Sequence, residues 1–129
     1  MLFAQVINVP KKSQEWFENE HPAASKVKWT NNVANYTVKY KEGGVDYSTR
    51  FSIDGDWNYT EKSVSKEAVP DSVQTTFNNS KYRDWTLKSL KFIEDKDNKS
   101  YRYEVKKGIE NMYVFILPDG KVLKESMTL

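Results

Sequence analysis

The sequence of 129 residues contains no cysteine and only one histidine, His21. The missing thiols exclude disulfide bonds, thiolate nucleophiles and cysteine-ligated zinc or iron–sulfur centres. A serine-type catalytic triad or a histidine-based metal site would have to use His21. These two shortages argue against most hydrolytic chemistry.

Other residue types are scarce enough to exclude further classes of protein. Glycine (5 residues) and proline (4 residues) are too few for a linker or a low-complexity chain. No apolar run approaches the roughly 18 residues of a membrane-spanning helix. The 20 basic and 18 acidic side chains leave a formal net charge of +2, with no strong basic excess in either half. Nucleic acid is therefore not expected as the main partner.

Aromatic residues are the abundant type. They make up 14% of the chain, as 8 tyrosines, 6 phenylalanines and 4 tryptophans. Strands favour such side chains because they pack well on a pleated surface. The composition therefore indicates a strand-rich globular chain.

Similar segments recur in the two halves of the sequence. Val9-Pro10 and Val69-Pro70 each open a polar, helix-like stretch with a phenylalanine seven residues after the proline. Further on, Ile53–Gly55 matches Pro118–Gly120, and a short insertion at Asp95–Lys99 accounts for the longer second copy. We interpret the chain as two copies in one compact unit, residues 9–68 and 69–129.

The first copy follows an N-terminal segment, residues 1–8. Within it, Leu2–Gln5 places apolar residues and an alanine before a glutamine, as the end of a secretory signal peptide does. The alternative is that Leu2 and Phe3 lie in a first strand and pack on the core. The signal-peptide interpretation implies export. The absence of cysteine is compatible with an extracytoplasmic location.

Each copy is predicted to begin with a helix and continue with four strands. The helices span Pro10 to about Glu20 and Pro70 to Asn79, since proline suits the first turn of a helix. Polar and apolar residues then alternate with period two, notably over Tyr36–Lys41 and Tyr47–Ile53, which is typical of sheets with one buried face. Residues 112–117 are apolar at both parities, as in a strand covered on both sides. The prediction is an α+β fold of two tandem α-β-β-β-β repeats with antiparallel strands and helices packed on one sheet face.

The order of short motifs in the first copy resembles the PepSY-like, beta-lactamase-inhibitor-like repeat. The motifs are a Val-Pro helix with Phe17, the loop His21–Ala24, Val27–Trp29, Tyr36–Tyr40, Gly43-Gly44, Phe51–Gly55 and Trp57. The second copy departs at Lys81-Tyr82 and at Val122. The resemblance covers about residues 9–129. It implies a small envelope protein of Bacteroidetes-type bacteria that is a non-enzymatic binding or inhibitory module.

Three sets of polar residues have a catalytic or metal-binding interpretation, and each has a simpler one. His21 has no partner motif and precedes a proline, so it is expected to be a loop residue. Asp54, Asp56 and Asn58 have the 1-3-5 spacing of a calcium loop, but Tyr59 replaces the glycine that the sixth position requires. The glutamates of the first helix are expected to form its solvated face: Glu15, Glu18 and Glu20. No catalytic residue, metal ligand or cofactor is predicted.

Strand aromatics are the candidate binding residues. The set is Tyr36, Tyr40, Tyr47, Trp57, Tyr59, Tyr101 and Tyr103. Each belongs either to the core or to an exposed aromatic stripe, depending on which parity the helices cover. An exposed stripe would suit a protein or peptide partner, since tyrosine and tryptophan are good interface anchors, and it would equally stack sugars.

These observations favour a non-enzymatic binding module of the cell envelope, periplasmic or secreted, which contacts another envelope protein or a peptide through its open sheet face. A peptide could also add to a strand edge. The alternative is a small-molecule or glycan binder that uses an aromatic face or a helix–sheet pocket. An enzyme built on paired carboxylates is the third hypothesis. The sequence leaves the oligomeric state open.

Overall fold

The computed structural model of the protein describes residues 8–128 and shows an α+β fold. The predicted signal-peptide remnant and the alternative first strand at Leu2 and Phe3 lie outside the described residues. Within residues 8–128 there are two α-helices, a short 3-10 helix and eight strands. In chain order these are α1 (Lys11–Glu20), β1 (Ser25–Asn31), β2 (Asn35–Glu42), β3 (Val45–Ser52), β4 (Trp57–Ser63), the 3-10 helix (Lys66–Ala68), α2 (Asp71–Asn78), β5 (Thr86–Asp95), β6 (Lys99–Lys107), β7 (Glu110–Ile116) and β8 (Val122–Met127).

The chain forms two compact units that divide between Lys62 and Ser63. In the first unit, each of β1 to β4 pairs antiparallel with the next strand along the chain. In the second unit, β5 to β8 pair in the same way. The division precedes the predicted boundary at 68/69, which was placed by sequence similarity and stays a prediction. The 3-10 helix between the boundaries was not predicted.

Tight turns hold neighbouring strands in register. Gly43 and Gly44 join β2 to β3 with φ of +56° and +78°, values that a two-residue hairpin turn of the I′ kind requires at both central positions. Glu42 accordingly lies opposite Val45 in the ladder. The glycine pair therefore determines which side chains of β2 and β3 face the helix.

The core of the first unit lies between α1 and one sheet face. Phe17 packs edge-on against Tyr40, with ring centroids 4.8 Å apart, and Trp16 does so against Phe51 at 5.5 Å. Val38 and Phe51 have no exposed surface. Alternate residues of β2 and β3 therefore face the helix, as the period-two pattern predicted.

The core of the second unit has the same layout. Phe77 of α2 stacks on Tyr103 with ring centroids 4.0 Å apart. Val73, Val105 and Ile116 are fully buried in the same cluster. Val73 and Phe77, four residues apart, form the buried face of α2. Neither helix in residues 8–128 has the length and apolar character needed to cross a lipid bilayer.

Each helix also bonds to the glycine turn that follows the third strand of its unit. Ser13 of α1 is fully buried and donates to the carbonyl oxygen of Gly55 at 2.9 Å. Thr76 of α2 donates to the carbonyl oxygen of Gly120 at 2.5 Å, and Ser72 donates to that of Pro118 at 2.7 Å. These hydrogen bonds attach each helix to the sheet of its unit.

The first half of β1 contains a bulge. The register with β2 shifts between Ser25 and Lys28, and Lys26 adopts a φ of +53°. A bulge of this kind breaks the strict alternation of side chains. Val27 is consequently 43% exposed, whereas Trp29 packs on the core.

Candidate binding faces and a buried hydrogen-bond chain

Three of the predicted aromatic residues lie in the cores. Tyr36, Tyr40 and Tyr103 are 8%, 3% and 3% exposed. They share the parity that faces the helices, and they therefore follow the core alternative. Their burial leaves them too little surface to anchor a partner.

Three more are half-buried on the helix-covered side. Tyr47 stacks on Tyr40 at a ring-centroid distance of 5.4 Å, and Trp57 stacks on Trp16 at 5.6 Å. Tyr101 packs against the core of the second unit. Their rings are engaged within their own unit, so they too are poor candidates for a solvent-facing stripe.

Tyr59 differs from the other six. It lies opposite Arg50 in the β3–β4 ladder, and Arg50 has the parity opposite to that of the buried Phe51 and Thr49. The guanidinium carbon of Arg50 lies 5.5 Å from the centroid of the Tyr59 ring. We call the sheet side that faces away from a unit's helix its helix-free face. Tyr59 is thus the predicted residue on the helix-free face of the first unit.

The helix-free face of the second unit carries aromatics that the sequence reading missed. Tyr113 and Phe115 alternate with the buried Val114 and Ile116 along β7. Their rings lie 6.0 Å apart, edge to face. The prediction that both parities of residues 112–117 are covered hid this pair, because it assigned both parities to the core.

Cations flank these two rings from the neighbouring strands. The guanidinium carbon of Arg102 lies 4.5 Å from the Tyr113 ring centroid, and Nζ of Lys124 lies 4.7 Å from that of Phe115. Lys91 lies opposite Arg102 in the β5–β6 ladder. The basic residues of β6 and β8, at the same parity as the rings, are the signal that could have identified this face from sequence.

The same contact occurs at the corresponding strand pair of each unit, with its partners exchanged. In the first unit the third strand supplies the cation, Arg50, and the fourth supplies the ring, Tyr59. In the second unit the third strand supplies the ring, Phe115, and the fourth supplies the cation, Lys124. A cation over an aromatic face is attractive in either order, because the ring quadrupole attracts positive charge.

Glu104 is the acidic residue among the ladder partners of this face. It accepts a hydrogen bond from Ser89 at 2.8 Å and lies opposite Tyr113. Lys91, Arg102 and Lys124 therefore give these rows of the sheet a net positive charge. Together with the two rings, they form a cationic and aromatic surface.

His21 is the loop residue that follows α1, and its ring lies inside a cluster of aromatic rings. Its Nδ1 is 3.0 Å from Oε1 of Glu42, and its Nε2 is 3.3 Å from the hydroxyl of Tyr40. The side chain is 17% exposed. Both ring nitrogens are thus engaged, which leaves His21 poorly placed to act as a general base or a metal ligand.

The contact with Tyr40 continues across the sheet as a file of side-chain hydrogen bonds, which we call the His21 chain. The Tyr40 hydroxyl lies 2.9 Å from Oγ1 of Thr49, which lies 2.8 Å from Oγ1 of Thr60. The indole nitrogen of Trp57 donates to Thr60 at 3.0 Å. The pKa of Tyr40 is raised to about 12, mainly by burial; the hydrogen bond with Thr49 acts to lower it, and the nearby charge of Glu42 acts to raise it. From end to end the chain is Trp57, Thr60, Thr49, Tyr40, His21 and Glu42.

The remaining polar candidates occupy structural positions. Asp56 pairs with Lys12 of α1, and its backbone N–H bonds to the Ser52 hydroxyl. Glu15 pairs with Lys11 one turn away on the exposed side of the helix. Within residues 8–128, no group of three histidine, aspartate or glutamate side chains is arranged to hold a metal ion.

A cleft of about 500 Å³ lies between α1 and β1. Phe17, Trp29 and Val27 form apolar walls, and His21 and Glu18 add polar groups. Its volume lies in the range of small-ligand sites, which are usually about 300–1,000 Å³. The cleft lies between helix and sheet, which is where the alternative hypothesis places a small-molecule site.

Comparison with known structures identifies the fold. A BLIP-like protein from Bacteroides fragilis superposes with a TM-score of 0.83 at 19% identity, covering 97% of this chain and 90% of that one. A DUF2874 family protein from Bacteroides ovatus gives 0.83 at 22% identity, covering 94% and 89%. A "putative periplasmic" protein from Bacteroides eggerthii gives 0.80 at 19% identity, covering 94% and 90%. At these identities the likeness concerns the fold alone.

Comparison at the sequence level identifies the family. A search of the curated proteins found no significant match. The model of the family described as "Putative beta-lactamase-inhibitor-like, PepSY-like" matches residues 34–124, which is more than half of the chain. The match confirms the resemblance carried by the motifs of the first copy. The chain belongs to the PepSY-like, beta-lactamase-inhibitor-like family.

Proposed function

We propose that this protein is a non-enzymatic binding module of the cell envelope, built from two copies of a helix-plus-four-strand unit. It holds a partner protein on the helix-free face of its second unit. The observation that carries the proposal is the pair of rings on β7, Tyr113 and Phe115, each flanked by a cation from a neighbouring strand. The BLIP-like fold and a periplasmic neighbour support binding and an envelope location.

The chemistry of this face favours an acidic protein partner. Tyrosine and arginine are enriched among the residues that dominate interface energies, and aromatic rings lose little conformational freedom on binding. The cations hold the rings in place before binding, which lowers the ordering cost. Lys91, Arg102 and Lys124 then attract a surface of opposite charge, so binding should weaken as salt is raised.

The test combines identification of a partner with a variant of the face. The full chain is used to capture proteins from a Bacteroides periplasmic extract, and each candidate is purified and titrated calorimetrically. We expect an acidic partner whose affinity falls at least tenfold, about 1.4 kcal/mol, with Phe115→Ala plus Lys124→Glu.

Lys96→Glu is the matched control, since it makes the same charge change in the exposed β5–β6 turn. Equal loss with both variants would show a diffuse charge effect and contradict a specific face. A purified partner that binds the face variant unchanged would also contradict the proposal.

The cleft beside α1 supports a second candidate, a small-molecule binder. Its apolar walls and its volume of about 500 Å³ suit one small ligand with an apolar body. A ligand held there would be displaced by Ala24→Trp, which fills the cleft, and would be unaffected by Phe115→Ala on the other unit. The reverse pattern would assign binding to the helix-free face.

A further inference from the structure

The two ends of the His21 chain fix the direction in which its hydrogen bonds run. At one end, the indole N–H of Trp57 is only a donor, so Thr60 must accept from it. At the other end, an ionised Glu42 is only an acceptor, so Nδ1 of His21 must carry a hydrogen. A neutral His21 then has no hydrogen on Nε2, which can only accept.

The hydroxyl groups between these ends have one consistent arrangement while His21 is neutral. Tyr40 must donate to Nε2 of His21, because turning its hydrogen elsewhere would set two lone pairs against each other. Tyr40 therefore accepts from Thr49, and Thr49, whose single hydrogen is then in use, accepts from Thr60. Every donor in the chain points from Trp57 towards Glu42.

Protonation of His21 reverses this arrangement. Nε2 gains a hydrogen and becomes a donor to Tyr40. The buried hydroxyls of Tyr40 and Thr49 then keep their own hydrogens bonded when Tyr40 donates to Thr49 and Thr49 donates to the less buried Thr60. Thr60 then accepts from Thr49 as well as from Trp57, and its own hydrogen has to turn towards a different acceptor. No link of the chain is lost, but all three hydroxyl hydrogens change direction.

We propose that His21 is a proton-operated switch. When His21 gains a proton beside the cleft, the direction of the hydrogen bonds in the His21 chain reverses, and the hydrogen bonding of Trp57 on β4 changes. The middle members of the His21 chain are shielded from water, since Thr49 is 0% and Tyr40 is 3% exposed. Its outer end is accessible, since the His21 side chain is 17% exposed and lines the cleft. The raised pKa of Tyr40, about 12, keeps its hydroxyl protonated wherever a histidine titrates.

The titratable groups that face His21 come from two strands and from its own helix. From β2 it meets Glu42 and Tyr40, and from β3 it meets Tyr47, whose ring centroid lies 6.4 Å from its own. Its own helix contributes Glu18 to the shared cleft wall. The residues that β1 and the α1–β1 loop add to the cleft are not titratable: Pro22, Ala24, Val27 and Trp29.

The switch is tested by nuclear magnetic resonance on the ¹⁵N-labelled full chain, in which the single histidine gives one pair of imidazole nitrogens. We expect the neutral form near pH 8 to be the Nδ1–H tautomer and to give way to the cation on acidification. The indole N–H resonance of Trp57 should shift with the same midpoint. That of Trp85, which lies in the second unit, should not follow it.

A variant that interrupts the His21 chain of hydrogen bonds distinguishes the proposed switch from a direct effect of the His21 charge on the Trp57 resonance. Thr49→Val removes one hydroxyl and nearly keeps the side-chain shape, so His21 should still titrate while the Trp57 resonance loses its coupled shift. Thr37→Val is the matched control on the other face of the sheet, and it should preserve the coupling. A neutral Nε2–H tautomer in the unmodified protein would overturn the proposal, as would a Trp57 shift that persists in Thr49→Val.

Discussion

At the scale of single residues, the close approach of helix and turn depends on a position without a side chain. Gly120 has a φ of +93°, and a Cβ atom there would lie 2.8 Å from the backbone oxygen of Ser72. Gly108 has a φ of +62°, and a Cβ atom there would meet nothing within 4 Å. Substitution of Gly108 should therefore cause backbone strain alone, whereas substitution of Gly120 should cause backbone strain and a steric clash.

We expect Gly120→Ala to lower the free energy of unfolding by about 3 kcal/mol, through left-handed strain plus displacement of α2. Gly108→Ala should lower it by about 1 kcal/mol, through strain alone. Chemical denaturation of both variants measures the difference. Similar losses would mean that α2 moves away from the turn at little cost.

The sequence pattern identifies the strand aromatics but not the sheet face on which each of them lies. The period-two pattern placed Tyr36, Tyr40 and Tyr103 correctly in strands, and the structure places them in the cores. Which parity is covered depends on where the helix packs, and this is a tertiary property. Tyr113 and Phe115 were missed because an aromatic ring flanked by cations looks apolar when one strand is read alone.

At the scale of elements, each helix is fixed to its sheet by apolar packing and by hydroxyl-to-carbonyl hydrogen bonds. Ser13 illustrates the second contribution, since it is fully buried and donates to Gly55. A polar group in that position is favourable only while its hydrogen bond is made.

We expect Ser13→Ala to destabilise the protein by about 1–2 kcal/mol, because the buried carbonyl oxygen of Gly55 loses its donor. Thr75→Ala, which removes an exposed hydroxyl from α2, should cost nothing measurable. Thermal and denaturant unfolding of both variants provide the comparison. Equal stability of the two variants would show that water replaces the missing hydroxyl.

Element positions were the most predictable part of the fold, because proline placement and alternation are local signals. Both predicted helices begin next to their prolines, as α1 at Lys11 and α2 at Asp71 do. The bulge in β1 was not predictable, since nothing in a run that alternates regularly reports the left-handed backbone of Lys26. The His21 chain was not predictable either, because it joins α1 to three strands through contacts distant in sequence.

At the scale of the whole molecule, buried tyrosines in both units make the folded state less stable in alkaline solution. Burial raises the pKa of Tyr40 in the first unit and of Tyr82 in the second to about 12, and it also raises the pKa of Tyr103. In an unfolded chain a tyrosine titrates near pH 10. The folded state therefore holds these protons more tightly. The stability they contribute is complete below pH 10 and is lost as the pH rises through the folded-state pKa, which is about 12 for Tyr40 and Tyr82.

We expect the free energy of unfolding to fall between pH 10 and 12 by about 1.4 kcal/mol per pH unit for each of Tyr40 and Tyr82. Tyr82→Phe, which also loses a 2.6 Å hydrogen bond to Glu125, should be less stable than the unmodified protein at pH 8. The gap should narrow as the pH rises to 12. Denaturation curves recorded across this range test both statements, and a constant gap would contradict the second.

The exchanged cation–aromatic contacts have a consequence for how relatives of this protein are detected. Between Arg50–Tyr59 and Phe115–Lys124 the attraction is kept while both residue types trade places. When the two units are aligned and each position is scored separately, Arg50 against Phe115 and Tyr59 against Lys124 count as two drastic replacements. The interaction between the two strands is nevertheless of the same kind. A surface governed by such interchangeable pairs can drift far in sequence while its shape persists.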